Sequence, residues 1–234
     1  MTIQLVVFDM AGTTVHDNHD VSQALIRAFA QIGLVIGLQD TNPVMGYPKP
    51  LAVQMLLEKY GSPDHPISQE QVRQVHELYR QAILHFYETS PSVAEKDHAS
   101  QVFESLRQQG IRVALDTGFD RLTADTLLKR LGWLAGGVID ASVTSDEVPR
   151  GRPYPDMIWE AMRRTGVESV MQVAKVGDTP SDLEQGSAAG CAYVIGITNG
   201  SHDRQALQPH PHTHLIDELG ELLPILGISA QARV

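Results

Sequence analysis

Asp9 is the residue of this chain best placed to do chemistry, because it follows directly on a strand-like segment. Residues 3–8 form an almost continuous apolar run, which is typical of a strand buried on both faces of a parallel sheet. Ligands of such sheets bind outside the carboxyl ends of the strands. Mostly small residues follow, in the segment Asp9-Met10-Ala11-Gly12-Thr13-Thr14. We therefore predict that the Asp9 carboxylate faces a ligand and acts as a nucleophile.

A second acidic segment, Val176-Gly177-Asp178-Thr179-Pro180-Ser181-Asp182, also follows an apolar strand. Asp9 alone would be interpreted as a turn residue, but two such segments at neighbouring strand ends indicate a site of hard oxygen ligands. Such a site suits Mg²⁺, with Asp9 and Asp178 as ligands and Asp182 in support from the first turn of a helix. Asp178 and Asp182 can also cap that helix, and the two roles are compatible.

Two further segments carry groups that can bind an anion. Thr117-Gly118 follows a strand and offers a hydroxyl and a backbone N–H to a phosphoryl oxygen. Arg152 lies in a proline-rich loop just before a predicted helix, where its guanidinium can offset the charge of a phosphorylated aspartate. Each segment is weak evidence alone, since Thr-Gly is a common turn and most loop arginines lie on the surface. Their weight comes from their combination with the two acidic segments.

Alternating strand and helix patterns place these four segments in an α/β fold. Such alternation implies right-handed crossovers and a parallel sheet covered on both faces. The predicted strands are residues 3–8, 111–115, 138–139, 173–176 and 192–197, with a last fragment within 215–226. The predicted helices that follow them are residues 96–109, 122–131, 156–165 and 181–189.

Helical periodicity without a convincing strand fills the region between residues 20 and 95. We therefore predict that residues 16–92 form a helical insertion in a core domain made of residues 1–15 and 93–234. The apolar face of residues 21–32 offers a surface for a homodimer, although core packing explains it equally well.

Charge and composition exclude several classes of partner. The 234 residues carry a formal net charge of −10, which does not attract nucleic acid or an anionic membrane. No apolar run approaches the ~18 residues that a membrane helix needs, and the N-terminus has no pattern of a signal peptide. The single cysteine, Cys191, cannot form an intramolecular disulfide. We expect a cytoplasmic protein whose partner is a small molecule.

The four segments, in this order and with a helical insertion after the first, resemble the haloacid dehalogenase superfamily of aspartate-nucleophile hydrolases. The resemblance covers nearly the whole chain and implies a Rossmann-like core with an inserted helical cap and a Mg²⁺ cofactor. The implied roles are Asp9 as nucleophile, Thr117 as phosphoryl-binding hydroxyl, Arg152 as the cation in the place usually held by lysine, Asp178 as metal ligand backed by Asp182, Ala11 as metal ligand through its carbonyl, and Gly12, Thr13 and Gly118 as substrate contacts.

Most phosphomonoesterases of that superfamily have an aspartate in the place of Ala11. The first segment and Gly151-Arg152-Pro153-Tyr154-Pro155 instead resemble the phosphonatase (phosphonoacetaldehyde hydrolase) family, whose members carry a cap lysine that forms a Schiff base with the substrate aldehyde. The segment Met45-Gly46-Tyr47-Pro48-Lys49 is similar to the lysine segment of that family. The resemblance thus implies Lys49 as the reactive amine, with Met45 and Gly46 as substrate contacts.

The chemistry of C–P cleavage agrees with this resemblance. An ester hydrolase must protonate a departing alkoxide, whereas a C–P bond leaves its electrons on carbon and needs an electron sink. A protonated imine on Lys49 is such a sink, so an absent acid at Ala11 and an available amine are consistent with each other. Pro50 favours a helix start at this point, where the positive end of the helix dipole favours a neutral amine.

Three positions depart from the phosphonatase pattern and leave the substrate open. Ala52, Phe119 and Met10 stand where that family has histidine, tyrosine and tryptophan. The sequence is therefore compatible with hydrolysis of phosphonoacetaldehyde or of a related 2-oxoalkyl phosphonate. The alternatives are a phosphomonoesterase of the phosphoglycolate-phosphatase type and, in a different class, a catalytically silent binding protein on the same scaffold.

Overall fold

The computed structural model describes residues 2–61, 66–134 and 136–228. Its central element is a six-stranded parallel sheet in the order β3-β2-β1-β4-β5-β6. This is the doubly wound order, in which the crevice for ligands lies where the strand order reverses, between β1 and β4. The predicted α/β fold with a parallel sheet is confirmed. The strands are β1 (Leu5–Phe8), β2 (Arg112–Thr117), β3 (Ala141–Thr144), β4 (Val173–Gly177), β5 (Tyr193–Ile197) and β6 (His214–Ile216).

Helices cover both faces of this sheet, because the strands present apolar side chains on each face. Leu5 and Val7 of β1 pack on one face, and Val6 and Phe8 pack on the other. The core helices are α5 (Ala99–Gln108), α6 (Arg121–Arg130), α7 (Asp156–Thr165), α8 (Pro180–Ala189), α9 (Arg204–Leu207) and α10 (Leu222–Ile225). Helices α7 and α8 cover the face of Leu5 and Val7, while α5 and α10 cover the face of Val6 and Phe8.

The region between β1 and α5 is helical, as its periodicity predicts. It contains α1 (Asp20–Gln31), α2 (Leu38–Thr41), α3 (Lys49–Tyr60) and α4 (Gln69–Thr89). The apolar face of α1 packs against α4, where Leu25 and Phe29 are fully buried. That face is therefore buried by packing within the chain. A homodimer through the insertion stays a prediction.

The chain leaves and re-enters the core along two adjacent segments. The N–H of His16 donates to the carbonyl of Ala94 at 3.1 Å, and the N–H of Lys96 donates to the carbonyl of Thr14 at 2.8 Å. These contacts support the predicted division at residues 15/16 and 92/93. The domain division itself stays a prediction.

The strand predicted at residues 138–139 is wrong, since β3 begins at Ala141. Asp140 accounts for the shift, because its N–H donates to the carbonyl of Val113 at 2.7 Å and its carboxylate accepts the Val113 N–H at 2.8 Å. Regular pairing with β2 starts only beyond these contacts. The strand lies at the sheet edge and contains Ala, Ser and Thr, so hydropathy pointed to the more apolar residues before it.

The helix predicted from residue 96 begins at Ala99 instead. His98 adopts a left-handed backbone conformation with φ of 68°, which ends any helical path before it. Lys96 is thereby left outside the helix, and its amine reaches the carbonyls of Gly12 and Asn199 at 2.7 and 2.8 Å. Among the described residues, no helix combines the length and apolarity required to cross a membrane.

Candidate active site

A small cavity lies over the carboxyl ends of β1, β2 and β4, beside the start of α3. Its volume is about 20 Å³, which leaves room for roughly one water molecule. Most of the predicted site residues meet here. Those that line the cavity are Asp9, Ala11, Met45, Gly46, Lys49, Thr117, Gly118 and Arg152. Gly12, Thr13, Asp178 and Asp182 are not among its lining residues and lie in the buried layer around it.

Asp9 is held against Arg152 at the bottom of the cavity. A guanidinium nitrogen of Arg152 contacts Asp9 Oδ1 at 2.6 Å, and both side chains are buried. Burial is the largest cause that raises the pKa of Asp9, to about 7, and Arg152 opposes it, while the carboxylates of Asp182 and Asp178 raise the pKa further. A second cation at the site would therefore favour the ionised, nucleophilic form of Asp9.

Arg152 belongs to a buried charge cluster that the sequence did not reveal. We define this cluster as Asp9, Asp116, Arg152, Lys175 and Asp182. Arg152 contacts Asp116 at 3.0 Å and Asp182 at 2.9 Å, and Lys175 contacts the same two carboxylates, with 3.0 Å to Asp182. Asp116 and Asp182 are thus each shared between two cations, which fixes the guanidinium beside Asp9.

Strand register explains why Asp9, Asp116 and Lys175 of this cluster meet. Val7 of β1 pairs with Ala114 on one side and with Lys175 on the other, so these three side chains share a face. Two residues further along β1 and β2, the same face carries Asp9 and Asp116. The available sequence signal was a charged residue inside an apolar strand pattern, at Lys175 in Val-Ala-Lys-Val and at Asp116 in Val-Ala-Leu-Asp.

The residues of the predicted metal site fit a divalent cation. Asp9, Asp178 and Asp182 each offer a carboxylate oxygen, and these oxygens lie within 4.8 Å of one another. Asp178 is fully buried, accepts hydrogen bonds from the Thr13 hydroxyl at 2.9 Å and the Ser201 N–H at 2.6 Å, and forms no salt bridge to a described lysine or arginine. A buried carboxylate without a positive partner is costly, so a bound cation would stabilise it.

Thr13 and Asp182 make contacts that the sequence alone did not imply. The hydroxyl of Thr13 donates to Asp178, so it orients a candidate metal ligand and does not line the cavity. One oxygen of Asp182 contacts both cations of the buried charge cluster, and the other accepts the N–H and hydroxyl of Thr179. Gly12 has φ of +93°, and a Cβ at this position would collide with the carboxylate of Asp178.

Lys49 occupies the side of the cavity opposite the strands and is 4% exposed. Its N–H donates to the carbonyl of Gly118 at 3.2 Å, and its amine donates to the carbonyl of Tyr47 at 3.3 Å and lies 5.5 Å from the Phe119 ring centre. Burial is the largest cause that lowers the pKa of Lys49, to about 8, and the charge of Arg152 adds to it. A substantial neutral fraction is thus present near physiological pH, as a nucleophilic amine requires.

The segment that carries Lys49 packs closely against the core domain. Gly46 has φ of +80°, and a Cβ there would collide with the side chains of Thr179 and Ser181. The hydroxyl of Ser181 donates to the carbonyl of Met45 at 3.5 Å. On the other side, Thr117 accepts the N–H of Phe119 at 3.2 Å, which shapes the turn after β2. A compact contact between insertion and core therefore closes the cavity.

Sequence reasoning missed four charged residues of this region. Asp116 and Lys175 belong to the buried charge cluster, and Lys96 bridges two carbonyls beside Asp178 as described above. Asp17 lines the cavity itself, between β1 and α1. Its only sequence signal was an acidic residue shortly before a helix, which usually indicates a cap.

Comparison with known proteins gives a consistent result. Residues 3–190 match the family model of the haloacid dehalogenase-like hydrolases. The chain is similar to a phosphonoacetaldehyde hydrolase of Bacillus cereus, with 32% identity over 213 residues that cover 87% of this chain and 78% of the relative.

Solved structures share the fold. A phosphonoacetaldehyde hydrolase-like protein from Oleispira antarctica superimposes with a TM-score of 0.85 at 20% identity, over 97% of this chain and 92% of that one. A protein assigned as a phosphoglycolate phosphatase from Lactobacillus delbrueckii gives a TM-score of 0.77 at 22% identity, over 95% and 97%. At these identities the likeness concerns the fold alone.

Proposed function

The chain belongs to the haloacid dehalogenase-like hydrolases, and from this premise we propose that it hydrolyses the C–P bond of phosphonoacetaldehyde or of a related 2-oxoalkyl phosphonate. One observation carries the proposal. The amine of Lys49 and the carboxylate of Asp9 line the same cavity, and the residue two positions after Asp9 is Ala11, which has no acidic group. An amine is thus present where a carbonyl could be bound, and the acid that ester cleavage would use is absent.

In the proposed mechanism, the neutral amine of Lys49 condenses with the substrate carbonyl, loses water and becomes a protonated imine. A carboxylate oxygen of Asp9 then attacks phosphorus, and the electrons of the C–P bond move into the imine to give an enamine. The enamine takes a proton from water at carbon. Water finally hydrolyses the imine and the aspartyl-phosphate, which releases the carbonyl product and phosphate and restores both side chains.

The other cavity residues that belong to the core domain position the phosphoryl group and neutralise its charge. Arg152 contacts Asp9 directly and offsets negative charge on the transferring group. Thr117 and Gly118 line the cavity beside it and offer a hydroxyl and a backbone N–H. Asp9 and Asp178, with the carbonyl of Ala11, would hold Mg²⁺, which supplies positive charge to the anionic substrate.

Substrate entry requires the insertion to move. A cavity of about 20 Å³ is too small for a phosphonate, since ligand pockets are usually several hundred Å³. The contacts of Gly46 and Lys49 with Thr179, Ser181 and Gly118 would open on entry and re-form over the bound substrate. Such closure brings the amine to the carbonyl and excludes bulk water from the imine.

The test is reductive trapping during turnover. The protein is incubated with Mg²⁺, phosphonoacetaldehyde and borohydride, and its peptides are analysed by mass. We expect a two-carbon adduct on Lys49 and loss of activity in parallel. Lys59, on the exposed side of the same helix, serves as the internal control for unspecific labelling. Phosphate release from the phosphonate without any label on Lys49 would exclude the imine mechanism.

A second candidate function is favoured because the core domain alone assembles the groups that phosphoryl transfer would use. The buried charge cluster, Asp178 and Thr117 are all assembled without any contribution from Lys49. A phosphomonoesterase using these groups alone would keep its activity in Lys49→Ala and lose it in Asp9→Asn. Phosphate release from phosphonoacetaldehyde, substituted oxo-phosphonates and simple phosphate esters, measured side by side, distinguishes the two functions.

A further inference from the structure

One titratable side chain in the active-site cavity has no task in the mechanism above. Asp17 lines the cavity together with Asp9, Lys49 and Phe119. Asp9 is assigned as the nucleophile, and Lys49 as the amine. The carboxyl group of Asp17 thus shares the cavity with an amine that must exchange protons in the proposed reaction.

The start of α1 fixes one oxygen of Asp17 at the cavity wall. Oδ1 accepts the N–H of Asp20 at 2.6 Å and the N–H of Val21 at 3.2 Å. Val21 is itself a lining residue, so the capped helix end and the cavity are contiguous. Both hydrogen bonds reach Oδ1, which leaves Oδ2 out of the capping of the helix.

Imine formation needs a proton donor at this place. When the neutral amine adds to the carbonyl carbon, a proton passes from nitrogen to oxygen and a carbinolamine forms. Its hydroxyl must gain a further proton before the C–O bond breaks, water leaves and the nitrogen lone pair forms the C=N bond. Ala52 lies one turn after Lys49 on α3 and carries only a methyl group. Helix α3 therefore offers no proton donor at that position.

We propose that Asp17 is the catalytic acid that protonates the carbinolamine hydroxyl, and that its carboxylate takes a proton back from the water that adds to the imine at the end of the cycle. The proposal deepens the proposed function and rests on it, since it requires the imine on Lys49. In the forward step the O–H bond of Asp17 and the C–O bond of the carbinolamine break. One C=N bond and one water molecule form.

The environment of Asp17 suits an acid that works near neutral pH. Burial is the largest cause that raises its pKa, to about 6, and the hydrogen bonds from Val21 and Asp20 oppose it. An acid with a pKa close to the operating pH is available in both protonation states. The charged and titratable groups that act on it or respond to it are Asp20 on α1, Asp178 after β4, Lys49 on α3, Lys96 before α5, and Tyr79 and Tyr87 on α4.

The test isolates imine formation from phosphoryl transfer. Wild type, Asp17→Asn and Asp20→Asn are incubated with acetaldehyde, which contains no phosphorus, and cyanoborohydride. The rate of labelling of Lys49 is followed by peptide mass from pH 5 to 9. Asparagine retains an oxygen that can accept both N–H groups of α1, so the variant removes the proton and keeps the cap. Asp17→Ser, which also caps helices, is the second variant, and thermal denaturation checks that both are folded.

We expect labelling of Lys49 to slow about 10²-fold in Asp17→Asn and Asp17→Ser and to stay at the wild-type rate in Asp20→Asn. We also expect the dependence of the wild-type rate on a group titrating near pH 6 to disappear in both Asp17 variants. Equal labelling rates in wild type and folded Asp17 variants would overturn the proposal, even if phosphate release from the phosphonate fell. Absence of labelling in the wild type would instead contradict the proposed function and the role of Asp17 with it.

Discussion

The two walls of the active-site cavity are held in place in different ways. On the core wall, Arg152 and Lys175 each contact at least two buried carboxylates, and Asp9, the proposed nucleophile, is held by one of these cations. On the wall formed by the insertion, the amine of Lys49 has one hydrogen bond to a described residue, the carbonyl of Tyr47 at 3.3 Å, and an aromatic neighbour. Buried ion pairs therefore hold the groups that we propose for phosphoryl transfer, whereas the position of the amine depends on how the insertion packs against the core.

This difference separates two tasks. In the proposed mechanism, attack at phosphorus needs preorganised charges, and the core wall would supply them without the insertion. Recognition of the carbon part of the substrate would need a group that meets it only after closure, and Lys49 is the group proposed for this. Variants of one wall at a time therefore show whether the two walls can be disabled independently.

The largest effect is expected for Asp9→Asn. Removal of the nucleophile should lower phosphate release from phosphonates and phosphate esters alike by about 10⁴-fold or more. Because imine formation involves the other wall, borohydride should still label Lys49 in this variant. Phosphate release and peptide mass, measured on the same samples, check both statements. Loss of the Lys49 label in folded Asp9→Asn would show that the two walls do not act separately.

The next effect concerns Lys49→Arg, which keeps the charge and removes the nucleophilic amine. We expect phosphonate turnover to fall about 10³-fold, because the electron sink is lost. Any phosphate-ester hydrolysis should change little, since the groups of the core wall are untouched. Lys59→Arg, on the exposed side of the same helix, is the matched control and should behave as wild type. Equal losses for both substrate classes would contradict the assignment of Lys49 to the carbon part of the substrate.

A smaller effect, on stability, is expected for Lys175→Met. Removing Lys175 leaves Arg152 as the remaining cation of the buried charge cluster for three carboxylates and should lower the free energy of unfolding by about 3 kcal/mol. The double variant Lys175→Met/Asp116→Leu removes both charges and should recover part of that loss. Urea denaturation of the three proteins provides the comparison. A single variant as stable as wild type would show that the cluster does not depend on Lys175.

The smallest effect is the pH dependence of imine trapping. Below its pKa of about 8, Lys49 is mostly protonated and cannot attack a carbonyl, and above it the amine is neutral. In Asp17→Asn, where no acid that titrates near pH 6 contributes, the labelling rate of Lys49 should therefore rise roughly tenfold between pH 7 and pH 9 and then level off. A plateau reached only above pH 10 would indicate a solvated lysine with an ordinary pKa.

The sequence revealed the fold and the residues that follow strand ends, but not the contacts between strands. Asp9, Thr117 and Asp178 were predicted because each lies within two residues after an apolar run, and such runs are visible in a single sequence. Lys175 and Asp116 were missed because their pairing depends on register across β1, which no local pattern encodes. The edge strand β3 was misplaced for a related reason, since its bounds are set by the contacts of Asp140 with Val113.

The hydrogen bond from the backbone N–H of Lys49 to the carbonyl of Gly118 has a consequence for substrate length. Gly118 directly follows Thr117, so a main-chain contact sets the distance between the start of α3, which carries Lys49, and the turn after β2. Under the proposed mechanism, this contact would limit the number of carbons between the carbonyl and the phosphorus of a substrate. Substituents beyond the carbonyl would meet side chains that line the cavity, such as Phe119.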